Sequence, residues 1–132
     1  MTASAKVLFT GKTHVTAGHN GAAHSQDGLV DIKLPEPHPA AENLFGAAWS
    51  ACYLGALQLA AMQRKVKLPD ERAVDAEIDL NLAGSSFFLR APCRQPAWRR
   101  PRGRAATDRA AHGICPYSKA IHGNIDVTTT LA

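Results

Sequence analysis

Between Leu44 and Met62 the chain runs for nineteen residues without a charged side chain. An apolar helix of that length has two homes, the hydrocarbon of a bilayer or the middle of a protein core. This run is mostly alanine and glycine, carries Ser50 and Gln58, and has no matching stretch elsewhere in the sequence. It reads as a fully buried core helix starting near Ala40 and running to about Lys65, with no membrane role. Pro35-Glu-Pro-His-Pro39 delivers the chain to it, since three prolines remove donors and fix φ, which rules out helix and central strand there. The N-terminus shows no charged segment followed by a long apolar one, so no signal peptide is expected.

Around this helix the pattern is of strands. Val7-Leu-Phe-Thr10 predicts a short strand and Thr13-His-Val-Thr16 a second or its continuation. Gly18-His-Asn-Gly21 is a hairpin turn, because Asn-Gly tolerates the positive φ such turns need. Leu29 to Leu34 alternates after the Asp27-Gly28 turn, and Val74 to Leu82 alternates strictly and is the best strand signal in the chain. Phe87-Phe-Leu89 opens another after Gly84-Ser-Ser, and Ile125 to Leu131 closes the chain with β-branched residues. The expectation is one α+β domain over 1–132, antiparallel strands around a long central helix, with a second helix region before the final strand. At 132 residues such a core is marginal, and a homodimer would bury more surface.

The net charge of +4 is local. Arg90, Arg94, Arg99, Arg100, Arg102, Arg104 and Arg109 lie within twenty residues that hold one acid, Asp108, and the rest of the chain carries eight basic residues against ten acidic ones. A whole-protein case for nucleic-acid binding therefore fails. Residues 92–109 show no periodicity, and their Pro and Arg content predicts a disordered or basic loop.

Three cysteines, Cys52, Cys93 and Cys115, cannot form a fully paired disulfide framework, which points to a reduced, cytoplasmic setting. Cys52 lies inside the apolar run, ten residues after the lone carboxylate Glu42, and Cys115 sits in the tight segment Gly113-Ile-Cys-Pro-Tyr-Ser118. Apolar surroundings hold a thiol protonated, so a thiol in such a place reacts only where something ionises it. Two cysteines in these settings suggest redox work. His112-Gly-Ile-Cys115 has metal-like spacing but lacks a second ligand pair, so no metal is expected, and no motif asks for a cofactor.

Ala41-Glu-Asn-Leu-Phe…Ser-Ala-Cys-Tyr53 and Ile114-Cys-Pro-Tyr-Ser-Lys-Ala…Gly-Asn-Ile-Asp-Val-Thr128 resemble the two signature blocks of the organic hydroperoxide resistance proteins, the Ohr branch of the Ohr/OsmC superfamily. The resemblance covers about Val7 to Leu89 and Ala110 to Leu131. It implies a thiol peroxidase in which Cys52 attacks the O–O bond of an organic hydroperoxide and becomes a sulfenic acid, which Cys115 resolves to a disulfide. It further implies that Glu42 orients a catalytic arginine, that the protein is a homodimer with sites at the subunit interface, and that a dithiol on a lipoylated protein re-reduces it.

Besides a loop, Pro35 to Ala41, shorter than the usual Gly-rich version, two features depart from the family. Its arginine falls in a Gly-Gly-Arg-Asp-Gly turn, and the aligned stretch here is Ala17-Gly-His-Asn-Gly21, so His19 takes the arginine's place. The second departure is the 92–109 stretch, where the family shows a strand, a turn and most of a helix. Codons written back for Cys93 to Arg109 permit another frame, Pro-Ala-Ala-Asn-Leu-Pro-Gly-Val-Asp-Arg-Glu-Val-Ala-Gln-Arg-Leu-Ile-Asp, which supplies a turn and an amphipathic helix. That stretch is read as frame-shifted. Two other readings stand beside the peroxidase: a damaged relative without activity, and an arginine-rich nucleic-acid binder.

Overall fold

The computed structural model describes residues 4–37, 40–95 and 104–131, which group into two compact units, 1–41 and 42–132. The first unit is a three-stranded antiparallel sheet in the order β1 (Thr13–Thr16), β2 (Ala22–Ser25), β3 (Asp31–Lys33). Thr16 opposes Ala22 and His24 opposes Asp31. Gly18, at φ 95°, makes the expected hairpin turn, closed by Gly21 N–H donating to the Gly18 carbonyl at 2.9 Å. At the next turn Asp27 accepts from the Leu29 N–H and the Ser25 hydroxyl, the hydroxyl first in holding its carboxyl below the usual range. The strand expected at Val7–Thr10 does not form. Val7, Leu8 and Phe9 are four-fifths exposed, and the segment has no ladder partner among the described residues. The ladder of β3 is also shorter than the alternation from Leu29 to Leu34.

The second unit opens with α1 (Ala41–Gln63). Its end is a Schellman arrangement, with Val66 N–H on the Ala61 carbonyl at 2.9 Å and Lys65 in the left-handed region where glycine is the usual choice. Length and hydropathy would let α1 cross a membrane, yet Gly46, Trp49, Tyr53, Ala56, Leu57, Ala60 and Ala61 form one buried face. The expectation of all-round burial is corrected in the single chain: Leu44, Ala47, Ala48, Ala51, Gly55, Gln58, Leu59 and Met62 form an exposed second face. A Cβ on Gly46 would lie 3.4 Å from Ile78 Cγ1 and 3.6 Å from Ala76 Cβ, so its missing side chain lets the 76–78 segment pack close.

β4 (Asp79–Ala83), β5 (Ser86–Gln95) and β6 (Asp126–Leu131) form the second sheet in that order. Val74, Ala76 and Ile78 alternate inward as the sequence pattern requires and pack on the core. The ladder begins only at Asp79, opposite Arg90, because alternation reports half-burial and says nothing of pairing. β4 and β5 are antiparallel, whereas β5 and β6 are parallel, Arg90 opposite Asp126, which departs from the expected antiparallel arrangement. A parallel return needs a crossover, and here it contains α2 (Arg104–Ile114) and α3 (Pro116–Ile121).

The reading of 92–109 as a loop is corrected at both ends. β5 continues to Gln95 on β6, and α2 begins at Arg104; residues 96–103 lie outside the described residues. Thr107, Ala111 and Cys115 are each fully buried at a spacing of four, an inward helical stripe that the surrounding arginines and alanines concealed. The chain is thus α+β.

Candidate active site

Cys52 is carried by α1 and Cys115 caps the start of α3, where Pro116 occupies the first helical position and Cys115 Sγ accepts from Ser118 N–H at 3.4 Å. Sixty-three residues apart in sequence, the two sulfurs lie 3.1 Å apart as free thiols. Cys115 is fully buried and Cys52 only partly so. A small molecule arriving from solvent therefore meets Cys52 first, and Cys115 stands behind it.

The two thiols are tuned in opposite directions. Burial pushes Cys52 up, the hydrogen bond with Cys115 adds to this, and the Tyr117 N–H opposes them. Burial also works against a Cys115 thiolate, but the Ser118 hydroxyl and N–H, the Cys52 thiol and the Tyr117 N–H outweigh it and bring Cys115 below the ordinary thiol range. Among the described residues, no cation figures in what sets either thiol.

Ten residues of helix separate Glu42 from Cys52, about 15 Å along the axis of α1. Glu42 instead lines a cleft of about 520 Å³ with Gly46, Ser50, Ala76, Glu77 and Asp79. His19 is exposed in the Gly18–Gly21 turn of the first unit. Cys93 carries no role here, its side chain lying outside those described. So do the side chains of Arg94, Arg99, Arg100, Arg102 and Arg104, most of the basic cluster behind the nucleic-acid reading. Arg90 lies 3.8 Å from Asp126 and its guanidinium stacks over Phe88 at 5.3 Å.

Sequence reasoning missed the polar cluster packed beside the thiols. Trp49 donates its indole N–H to Ser118 Oγ at 2.9 Å, and His112 Nδ1 lies 3.0 Å from the same oxygen. His112 Nε2 lies 3.6 Å from Asp108 Oδ1, which accepts from the Tyr53 hydroxyl, and the Tyr53 and His112 rings are 4.7 Å apart. The available signal was Trp49 and Tyr53 themselves. Buried tryptophan and tyrosine need a partner for the N–H and O–H, so two of them one turn apart on an apolar helix call for polar groups opposite. The metal-like spacing of His112 and Cys115 resolves into this network, and no group of three or more His, Cys, Asp or Glu gathers among the described residues.

A partly exposed thiol on a long helix, backed by a buried one at the start of a short helix, defines a class of dithiol α+β proteins. Comparison with known proteins identifies which. The chain is 36% identical to the organic hydroperoxide resistance protein of Xanthomonas axonopodis pv. citri, over the whole of both chains. It is 31% identical to OhrA of Bacillus subtilis, covering 95% of this chain and 96% of the relative. Among solved structures, OhrB of Bacillus subtilis superposes with a TM-score of 0.81 at 31% identity, over 96% of this chain and 100% of that one. An organic hydroperoxide resistance protein from Elizabethkingia anophelis gives 0.84 at 28% identity, over 97% and 99%. No family model matches. The chain belongs to the organic hydroperoxide resistance family within the Ohr/OsmC superfamily.

Proposed function

We propose that this protein is a thiol peroxidase that reduces organic hydroperoxides to alcohols. The Cys52 thiolate attacks the outer oxygen of ROOH, the O–O bond breaks, the alkoxide takes a proton to leave as ROH, and Cys52 becomes a sulfenic acid. Cys115 then attacks Cys52 Sγ, water departs, and a Cys52–Cys115 disulfide remains for an external dithiol, carried by a lipoylated protein, to reduce. The observation that carries this reading is the 3.1 Å contact between a partly exposed thiol and a buried one. The apolar side chains of Phe45 and Trp49 near the thiol pair favour a bulky organic peroxide over hydrogen peroxide. The test is consumption of cumene hydroperoxide with a dithiol reductant; a damaged relative would show none.

Attack on peroxide needs Cys52 as the thiolate, and its described neighbours raise it instead, by burial first and then the Cys115 hydrogen bond. A positive charge must therefore reach Cys52, and His19, at the position of the family's arginine, is assigned that part, with Glu42 orienting it. About 15 Å of helix keeps Glu42 from its own Cys52, which favours an assembly in which a second copy of the chain supplies it. The exposed second face of α1, with Leu44, Leu59 and Met62 among small residues, supports a homodimer, since monomers seldom leave such a surface to water. We assign the protein to the cytoplasm, without membrane or nucleic-acid partners. Residues 92–109 are read as frame-shifted, which the nucleotide sequence of the gene tests.

A further inference from the structure

The peroxidase chemistry uses the two sulfurs and leaves the buried polar cluster behind Cys115 without a role. Ser118, 8% exposed, stands at its centre. The Trp49 indole N–H can only donate, so it fills a lone pair of Ser118 Oγ and the serine's single proton must point elsewhere. Two acceptors are within its reach: His112 Nδ1 at 3.0 Å, and the Cys115 sulfur, which the hydroxyl also bonds. With the hydroxyl on Nδ1, the neutral imidazole carries its proton on Nε2. That nitrogen is buried with no hydrogen-bond partner among the described residues and lies 3.6 Å from the Asp108 carboxylate, where an imidazolium would be stabilised.

We propose that Ser118 relays the Cys115 thiol proton to His112, making Cys115 the thiolate that attacks the Cys52 sulfenic acid. The proposal rests on the peroxidase reading above. As the S–S bond forms, the Cys52 S–O bond breaks and the oxygen leaves as hydroxide, which a proton converts to water. The Cys115 proton passes to Ser118 Oγ while the serine's own proton moves to His112 Nδ1. The imidazolium then returns one proton to solvent, so thiol and sulfenic acid give disulfide and water with nothing left over. Ser118 touches the reacting sulfur; His112 acts through it as a positioning residue, and Asp108 and Tyr53 hold His112. Facing His112 are Asp108 from α2 and Tyr53 from α1, with Lys119, His122 and Asp126 around the cavity of about 650 Å³ that it lines. Ser118 also bonds the Cys115 sulfur, which contacts Cys52. Cys115, Ser118 and His112 all lie outside 92–109, so the relay's core does not depend on how that stretch is read.

The full chain, reduced and then given one equivalent of cumene hydroperoxide, is followed by rapid quench and mass spectrometry, which separates sulfenic acid formation from disulfide closure. Ser118→Ala and His112→Asn should lower the ratio of closure rate to formation rate by about 100-fold at pH 6, the scale of a positioned proton acceptor. The deficit should shrink as pH rises and solvent hydroxide deprotonates Cys115 directly. Ser118→Thr, which keeps a hydroxyl, should restore most of the ratio. Wild-type ratios in both variants, or a deficit equal at every pH, would overturn the relay. A parallel ¹³C titration of Cys115 in the Cys52→Ser chain needs no peroxide: Ser118→Ala and His112→Asn should each raise its midpoint. If the wild-type chain forms no sulfenic acid, the peroxidase reading falls, and this titration still decides the relay.

Discussion

The indole of Trp49 and the hydroxyl of Ser118 meet at 2.9 Å across sixty-nine residues of sequence. This bond ties the central helix α1 to the short helix α3 that begins at Cys115. Together with the Tyr53–Asp108 bond one turn further along α1, it fixes the faces that bring the two thiols into contact.

Trp49→Phe keeps an aromatic ring in the core and removes the donor. Ser118 loses a buried partner and a small void opens, so unfolding free energy should fall by about 2 kcal/mol. Urea denaturation of the reduced chain measures it. A loss below about 0.5 kcal/mol would mean that the bond does not help dock α3.

Cys52→Ser should abolish peroxide reduction while the far-ultraviolet dichroism stays that of the wild type. Cys115→Ser should still consume its first equivalent of peroxide and then over-oxidise at Cys52, with sulfinic acid visible by mass spectrometry, because nothing intercepts the sulfenic acid. Undiminished turnover by the serine variant at 52 would remove that residue from the attack.

His19→Arg should raise the peroxidase rate near neutral pH and flatten its pH profile. A guanidinium keeps its charge throughout and can grip a carboxylate with two parallel bonds, whereas an imidazole exchanges its charge with solvent across this range. Initial rates with cumene hydroperoxide from pH 5.5 to 9 decide it. A variant with the wild-type rate and curve would make His19 a turn residue alone.

The opposed tuning of the thiols carries opposite signs in stability. Cys115 has a lowered folded value. Its contribution is therefore present above the ordinary thiol range near 8.5 and is lost as pH falls through the lowered value. Cys52 has a raised value, so its contribution is present below that range and lost as pH rises through the raised value. Reduced Cys52→Ser should gain stability as pH climbs toward about 8.5, and Cys115→Ser should lose it above. Urea midpoints at several pH values that slope the other way would contradict the assignment.

Much of this was legible in the residues. The charge-free run fixed α1 almost to its ends, the Asn-Gly turn placed the first hairpin, and the two cysteine blocks pointed at the pair that the fold brings together. What the sequence concealed was partnership. Val7-Leu-Phe9 has strand composition, but a strand exists only where another backbone receives its hydrogen bonds. Val74 to Ile78 alternates because one side is buried, and that holds with or without a ladder. A second helix region was expected before the final strand, but its start was blurred because arginine and alanine dominate it, leaving Thr107 and Ala111 to mark its inner face. Ser118 carried no signal and His112 only a metal-like spacing to Cys115, since their setting comes from Trp49 and Tyr53 approaching from a distant helix.

A peroxide-driven redox pair of Cys52 and Cys115 must close on itself when peroxide is added. The direct measurement is peptide mapping by mass spectrometry under non-reducing conditions, after the reduced chain has met one equivalent of cumene hydroperoxide. A single cross-linked species joining the Cys52 peptide to the Cys115 peptide is expected, absent before treatment and removed by a dithiol. A disulfide through Cys93, or a chain whose thiols remain free after the peroxide is added, would contradict it.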